Sequence, residues 1–267
     1  MRKYYTRACN FYYGSHAKNL IKKKIALALC ANKNIAFDNI EILSRGKKTK
    51  VINIKNIKKL PNKIKKIVLK DLKKIIFKRK NLNKYTDISK PLIMGILNLT
   101  PDSFSDGGLH NESKKAFTHI NNMISNGADI IDIGGESTRP GSKTIPHKVE
   151  WNRLKKTITN FKKKFPKTFL SIDTRKSSVM LNAIKHKSDL INDVSGFNYD
   201  QKAIEKIKNY NVWKVLHHMQ GTPSTMQVKP IYKNVLLDIY DFFEKKINVD
   251  FKKFKYKKFI IDPGIGF

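Results

Sequence analysis

From residue 91 onward, short apolar runs alternate with longer stretches in which apolar residues recur every three or four positions. The runs are Leu92–Leu99, Ile130–Ile133, Phe169–Ile172, Leu190–Ile191, Val212–Leu216 and Phe259–Ile261. Being apolar at successive positions, they predict strands buried on both faces. Between them, three groups mark amphipathic helices: Ala116, Ile120, Met123 and Ile124; Leu154, Ile158, Phe161 and Phe165; and Val235, Leu236, Ile239, Phe242 and Phe243. This alternation predicts a parallel α/β fold. An open doubly wound sheet and a closed barrel share the rhythm but place their polar residues differently. Here the first strand runs into Asn98-Leu99-Thr100-Pro101-Asp102, and the second ends in Asp132 and the run Gly134 to Pro140. The third ends at Asp173, the fourth at Asn192-Asp193, the fifth at His217-His218 and the sixth at Asp262-Pro263-Gly264. A polar group at the C-terminal end of every strand is the pattern of a TIM-type (β/α)8 barrel. A doubly wound sheet gathers such groups at one switch point. Six strands precede Phe267, so the expectation is an incomplete barrel of about six of eight β/α units, truncated after strand six, with its outer strands left as edges.

The first ninety residues have another texture. Ile35 to Leu43 and Lys50 to Ile57 predict short strands around the turn Ser44-Arg45-Gly46. Pro61 opens a predicted helix reaching about Arg79, with Ile64, Ile67, Val68, Leu72, Ile75 and Ile76 at helical spacing. The reading is a small α+β extension over 1–89 that docks this apolar stripe on the main domain, 90–267. The polar stretch Asn81 to Ser89 reads as a linker between them. A basic polar face also admits a membrane-surface helix, with docking favoured.

Charge is unevenly spread. The formal net charge is +34, and residues 1–90 hold 26 Lys+Arg against 4 Asp+Glu. Such a balance suits a polyanion partner. The lysines are dispersed rather than gathered with aromatics, and they come with abundant Ile and Asn, which is what compositional bias writes at tolerant surface positions; no specific nucleic-acid partner is expected. No apolar run is long enough to span a bilayer, so no membrane span is expected. A transit peptide is disfavoured because Ser15 is the only serine before Asp38. Cys9 and Cys30 fit neither a metal knuckle nor a disulfide framework, and a reducing cytoplasm is the default.

Carboxylates and amides at fixed strand ends can read the edge of a flat heterocycle by paired hydrogen bonds. Taken singly, each is as well explained as a helix N-cap. The motifs around them narrow the choice. Met94 to Gly108, reading MGILNLTPDSFSDGG, closely resembles the first signature of dihydropteroate synthases, and Asp132 to Gly141, DIGGESTRPG, resembles their second. Ser171 to Thr174, Ile191 to Asp193, His218 to Gly221 and Asp262 to Phe267 fit later family segments in order. The resemblance covers 91–267 and leaves the extension without a counterpart.

The resemblance implies a folate-pathway transferase. It joins 4-aminobenzoate to 6-hydroxymethyl-7,8-dihydropterin diphosphate, with Mg2+ assisting, by departure of diphosphate and attack of the aniline nitrogen on a pterin cation. By similarity, Asp173, Asn192 and Asp262 read the pterin and serve catalysis. Thr138 and Arg139 hold diphosphate, Asn98 binds the metal, and Phe104, Pro140 and Phe267 line the aminobenzoate pocket. Asp132 is expected to orient neighbours or metal waters. His218 matches a family position, whereas His217 stands where the family commonly has a methionine lining the pterin pocket. The full-length family member is expected to be a homodimer. A pterin-barrel methyltransferase domain shares the acidic pterin edge but has no need of the loop from Thr100 to Gly108; a non-enzymatic nucleic-acid binder is the reading from another class. The family's Ser-Arg-Lys and Arg-x-His segments have no match in this sequence. The purified 267-residue chain is therefore expected to make no detectable dihydropteroate. A turnover assay with both substrates checks this, and measurable product would refute it.

Overall fold

The computed structural model describes residues 2–100, 109–137, 143–222, 225–227, 229–251 and 258–265. The chain forms two compact units, Met1–Asn81 with Asn234–Leu237, and Leu82–Lys233 with Asp238–Phe267.

The first unit holds β1 (Tyr5–Tyr13), α1 (Gly14–Lys22), β2 (Leu27–Leu29), β3 (Asn32–Leu43), β4 (Lys50–Asn53) and α2 (Asn62–Ile76). The antiparallel sheet is built on β3, which pairs with β1, β2 and β4. The predicted helix and the first predicted strand are present; the second stops at Asn53, whose side chain accepts the Lys55 N–H and opens a 3-10 helix over Ile54–Lys59. Strands β1 and β2 and helix α1 are additions. In β1, Asn10 takes φ +57 and interrupts the pairing between Cys9↔Asn39 and Phe11↔Phe37, which blurs the alternation that would have exposed a strand. The α2 stripe requires a correction. Val68 and Leu72, with Ile64, Ile75 and Ile76 beside them, pack on Phe37, Ile40 and Ile42 of the same unit's own sheet. A sheet with an apolar face must bury it, and the nearest amphipathic helix in the chain does so.

The second unit holds six parallel strands, β5 (Met94–Asn98), β6 (Ile130–Gly134), β7 (Phe169–Asp173), β8 (Leu190–Asp193), β9 (Trp213–His217) and β10 (Phe259–Asp262). Every predicted strand is present. They lie side by side in strict sequence order. No switch point interrupts that order, which is the winding of a TIM-type barrel and not of a doubly wound sheet. The connecting helices are α3 (Leu109–Ser125), α4 (His147–Lys164), α5 (Ser177–Lys185), α6 (Ala203–Lys206) and α7 (Val235–Lys246). All five supply residues to one core together with Leu97, Ile131, Ile133, Leu170, Ile172, Ile191 and Leu216, so the helices share one face of the sheet. Helices α5 and α6 were not among the predicted helices, because their apolar stripes are too short to stand out.

The opposite face, called inner below, is apolar only toward the strand N-termini. There Ile130, Phe169, Leu190 and Val215 pack with Leu82, Leu92, Met94, Trp213 and Ile260. The stretch read as a linker is thus partly structural. Leu82 enters this cluster and its carbonyl accepts the Trp213 indole N–H at 2.9 Å. Asn83 closes a turn by accepting the backbone N–H groups of Tyr85 at 2.8 Å and Thr86 at 3.0 Å.

Lys214 on β9 is only 1% exposed, and its Nζ donates to the Val212 carbonyl at 2.8 Å. Burial, with Lys258 adding, lowers its pKa to about 8. An unfolded lysine titrates near pH ~10.4, so the folded chain holds this proton less tightly. The cost is full below pH 8 and fades as pH rises toward that of the unfolded side chain. Lys214→Met is expected to stabilise the chain by about 1–3 kcal/mol at neutral pH, with a smaller gain near pH ~10. Thermal melts at the two pH values check this; an equal gain at both would sink it.

Candidate active site

Alternation along each strand decides which side chains face inward. Leu97, Ile133, Ile172, Ile191 and Leu216 lie in the helix-side core. Their neighbours Asn98, Asp132, Asp173, Asn192 and His217 are therefore on the inner face. The register aligns Asn98 with Gly134, Gly134 with Asp173 and Asp173 with Asn192. Asp132 and Ser171 form the adjacent row. Asp262 pairs with His217, and it shares a face with Ile260 of the inner cluster.

Contacts tie this row together. The Asn192 amide donates from Nδ2 to Asp132 Oδ2 at 3.0 Å. Gly134 leaves an opening between the flanking groups: a Cβ placed there would lie 3.4 Å from Asn98 Oδ1 and 3.4 Å from Asp173 Oδ2. Asp132 Oδ1 and Ser171 Oγ are buried and make no hydrogen bond. Burial raises the Asp132 carboxyl above its usual range, opposed by the Asn192 amide and by the Ser171 hydroxyl, which lies close to the carboxylate but outside hydrogen-bonding geometry. Asp173 is pushed well above the usual carboxylate range, first by burial and then by the negative charges of Asp132, Asp193, Glu150 and Glu136. Two carboxylates with an unspent acceptor, in a face of low dielectric, favour a ligand that brings N–H donors or positive charge.

Among the described residues, the cations that follow Asp173 in the chain, Arg175 and Lys176, are committed elsewhere. Arg175 donates to Glu136 Oε2 from Nε at 3.2 Å and from Nη2 at 2.9 Å. Lys176 Nζ bridges Glu136 Oε1 at 2.8 Å and Glu150 Oε2 at 2.6 Å. Burial alone would raise Glu136, but Lys176, the Ile145 N–H and Arg175 hold it below its usual value. The same Glu136 Oε1 accepts the Ile145 N–H at 3.0 Å, and Arg153 donates to the Gly135 carbonyl at 2.8 Å. This buried cluster fixes the described ends of the β6–α4 connection against the start of α5. The four residues were absent from the predicted site. Glu136 falls inside the second signature and Arg175-Lys176 stand two and three residues after Asp173, so position was the available signal.

The predicted set is thus partly assembled. Asn98, Asp173 and Asn192 line one row, Asp132 joins them, and Asp262 occupies the same face on β10. Thr138, Arg139, Phe104, Pro140 and Phe267 lie outside the described residues. His218 is turned to the helix side, where its ring meets Phe242 edge-on at 4.9 Å. Among the described residues there is no cluster of three or more His, Cys, Asp or Glu able to hold a metal, and no helix long and apolar enough to cross a membrane.

Comparison with known proteins decides the family. The family described as pterin binding enzyme matches residues 94–267. The chain belongs to the pterin-binding enzyme family. Among its relatives, the dihydropteroate synthase of Escherichia coli K12 is 39% identical over 182 residues, covering 68% of this chain and 64% of that protein. That of Clostridium beijerinckii is 43% identical over 176 residues, covering 66% and 62%. The chain therefore spans a little under two thirds of these relatives. A Yersinia pestis dihydropteroate synthase structure in complex with a sulfonamide drug superposes with TM-score 0.62 at 39% identity, covering 68% of this chain and 66% of that one.

For this member of the pterin-binding enzyme family, Gly134 is the test of whether the inner face receives a ligand. Gly134→Leu would fill the space between Asn98 and Asp173 with four carbons. The expected outcome is loss of pterin binding with an intact circular dichroism spectrum. Undiminished binding would show that ligands do not enter between these residues.

Proposed function

We propose that this chain carries the pterin site of a dihydropteroate synthase, which condenses 6-hydroxymethyl-7,8-dihydropterin diphosphate with 4-aminobenzoate to 7,8-dihydropteroate and diphosphate. The observation that carries the reading is the inner face itself: Asp132, Asp173 and Asp262 with Asn192 between them, Asp132 Oδ1 unspent, and Arg175 and Lys176 engaged by Glu136 and Glu150. A pterin presents ring N–H and amino donors along one edge, and these match carboxylate and amide acceptors. Solved relatives support the substrate class: a Xanthomonas albilineans dihydropteroate synthase with 4-aminobenzoic acid and a Burkholderia cenocepacia dihydropteroate synthase complexed with 7,8-dihydropteroate. Both favour this reading over a pterin-barrel methyltransferase domain.

In this reading the carbon–oxygen bond to diphosphate breaks, the leaving group takes the electron pair, and the pterin methylene becomes cationic. Asp132 and Asp173 stabilise that charge because they are already buried and oriented. The aniline nitrogen of 4-aminobenzoate then bonds to the carbon and releases a proton. Arg139 and Thr138 hold the departing diphosphate. Phe104, Pro140 and Phe267 border the arriving aromatic ring. Asn98 is exposed and its amide oxygen lies 3.4 Å from where a Cβ on Gly134 would stand, a hard donor that fits magnesium shared with phosphate oxygens and water. When bound there, Mg2+ would supply charge to the leaving group. Residence in the cytoplasm and dimerisation of the full-length protein belong to the same reading.

Calorimetric titration of the chain with 6-hydroxymethylpterin tests it. Asp173→Asn and Asn192→Ala are each expected to weaken binding at least ~10-fold, the loss of about one good hydrogen bond to a charged group. A parent chain that binds no pterin, or variants that bind as well as it does, would refute the assignment.

A further inference from the structure

Among the described residues, the inner face holds one titratable group that the proposed reaction leaves without a task, His217. It lies at the end of β9, is 8% exposed, and pairs in register with Asp262. Its Nε2 stands 4.0 Å from Asp262 Oδ1. The same carboxylate oxygen accepts the Gly264 N–H at 2.8 Å, so one side of Asp262 is turned to His217 and its own loop. The backbone of His217 is held from behind. Gly196 takes φ +57, and a Cβ there would come within 2.4 Å of the His217 carbonyl oxygen. That turn is braced by Asp193, whose Oδ1 accepts the Ser195 N–H at 2.8 Å and hydroxyl at 2.6 Å, and whose Oδ2 accepts the Phe197 N–H at 3.2 Å. His217 therefore has little room to leave Asp262.

We infer that His217 is a positioning residue for Asp262: its neutral ring leaves that carboxylate to the N–H donors of a bound pterin, and its protonated ring draws the carboxylate to itself. The inference rests on the pterin reading of this face. Protonated imidazole and pterin are both donors, and both need the same acceptor. The charged and titratable surroundings are few. Asp262 faces His217 from β10, Asp193 of β8 spends its carboxylate on its own turn, and His218 points to α7. Asp132 and Asp173 lie farther along the face. Burial pushes the His217 pKa down and His218 adds to this, while Asp262 opposes them. The neutral form therefore prevails at neutral pH, and the competing form enters on acidification.

The test is the pH profile of binding by the 267-residue chain, with 6-hydroxymethylpterin as probe because it carries no phosphate to titrate. Affinity of the parent is expected to fall severalfold, by less than ~10-fold, between pH ~7.5 and ~5.5, because burial keeps the His217 pKa below its ordinary value. His217→Met and His217→Gln should each lose most of that fall, whereas Asp132 and Asp173, untouched in both, keep their own contribution. A fall of the same size in both variants overturns the role of His217 and leaves the pterin site standing. A parent chain that binds no pterin at any pH overturns the site and this inference together.

Discussion

In a parallel sheet with helices on one side only, each strand must give alternate residues to the helices and the remainder to the other face. Everything at the candidate site depends on this division. Leu97, Ile133, Ile172, Ile191 and Leu216 satisfy the helix side, which leaves Asn98, Asp132, Asp173, Asn192 and His217 no direction but inward. A one-residue slip of β6 or β7 would put a carboxylate under the helices and an isoleucine in the site. The fold and the chemistry are fixed by the same apolar residues.

The electrostatics follow from where the cations are spent. Arg175 and Lys176 stand two and three residues after Asp173, near enough to neutralise it, yet both are held by Glu136 and Glu150. Breaking such a buried cluster by removing one partner is costly, because the remaining charge is stranded away from water. The cluster keeps positive charge off the inner face while securing the connection that carries the second signature. Asp132 and Asp173 consequently remain under-compensated, and a donor-bearing ligand gains what the protein has left unpaired.

The extension is self-contained in its core. Its sheet and helix bury one another, and Arg2 pairs with the buried Asp71 inside the same unit. Its lysines stay outside that core, on α1, α2, the strands and the turns alike. The reading of its charge as compositional needs nothing further from the structure, and the comparisons with known proteins extend over the second unit.

The amino-acid sequence alone determined the six strands, their parallel class and the inward set Asn98, Asp173, Asn192 and Asp262, because periodicity and strand-end position are local properties of the chain. It also carried the family, through two long signatures. It was silent on β1, where one left-handed residue breaks the alternation, and misleading on the α2 stripe, since an amphipathic helix does not say which apolar surface will cover it. Only the tertiary structure decided that Glu136, Glu150, Arg175 and Lys176 close into one buried cluster, that Asp132 keeps an oxygen unspent, and that His217 stands against Asp262. These are contacts between residues 26 to 60 positions apart; they arise where neighbouring strands and helices meet, which no local pattern records.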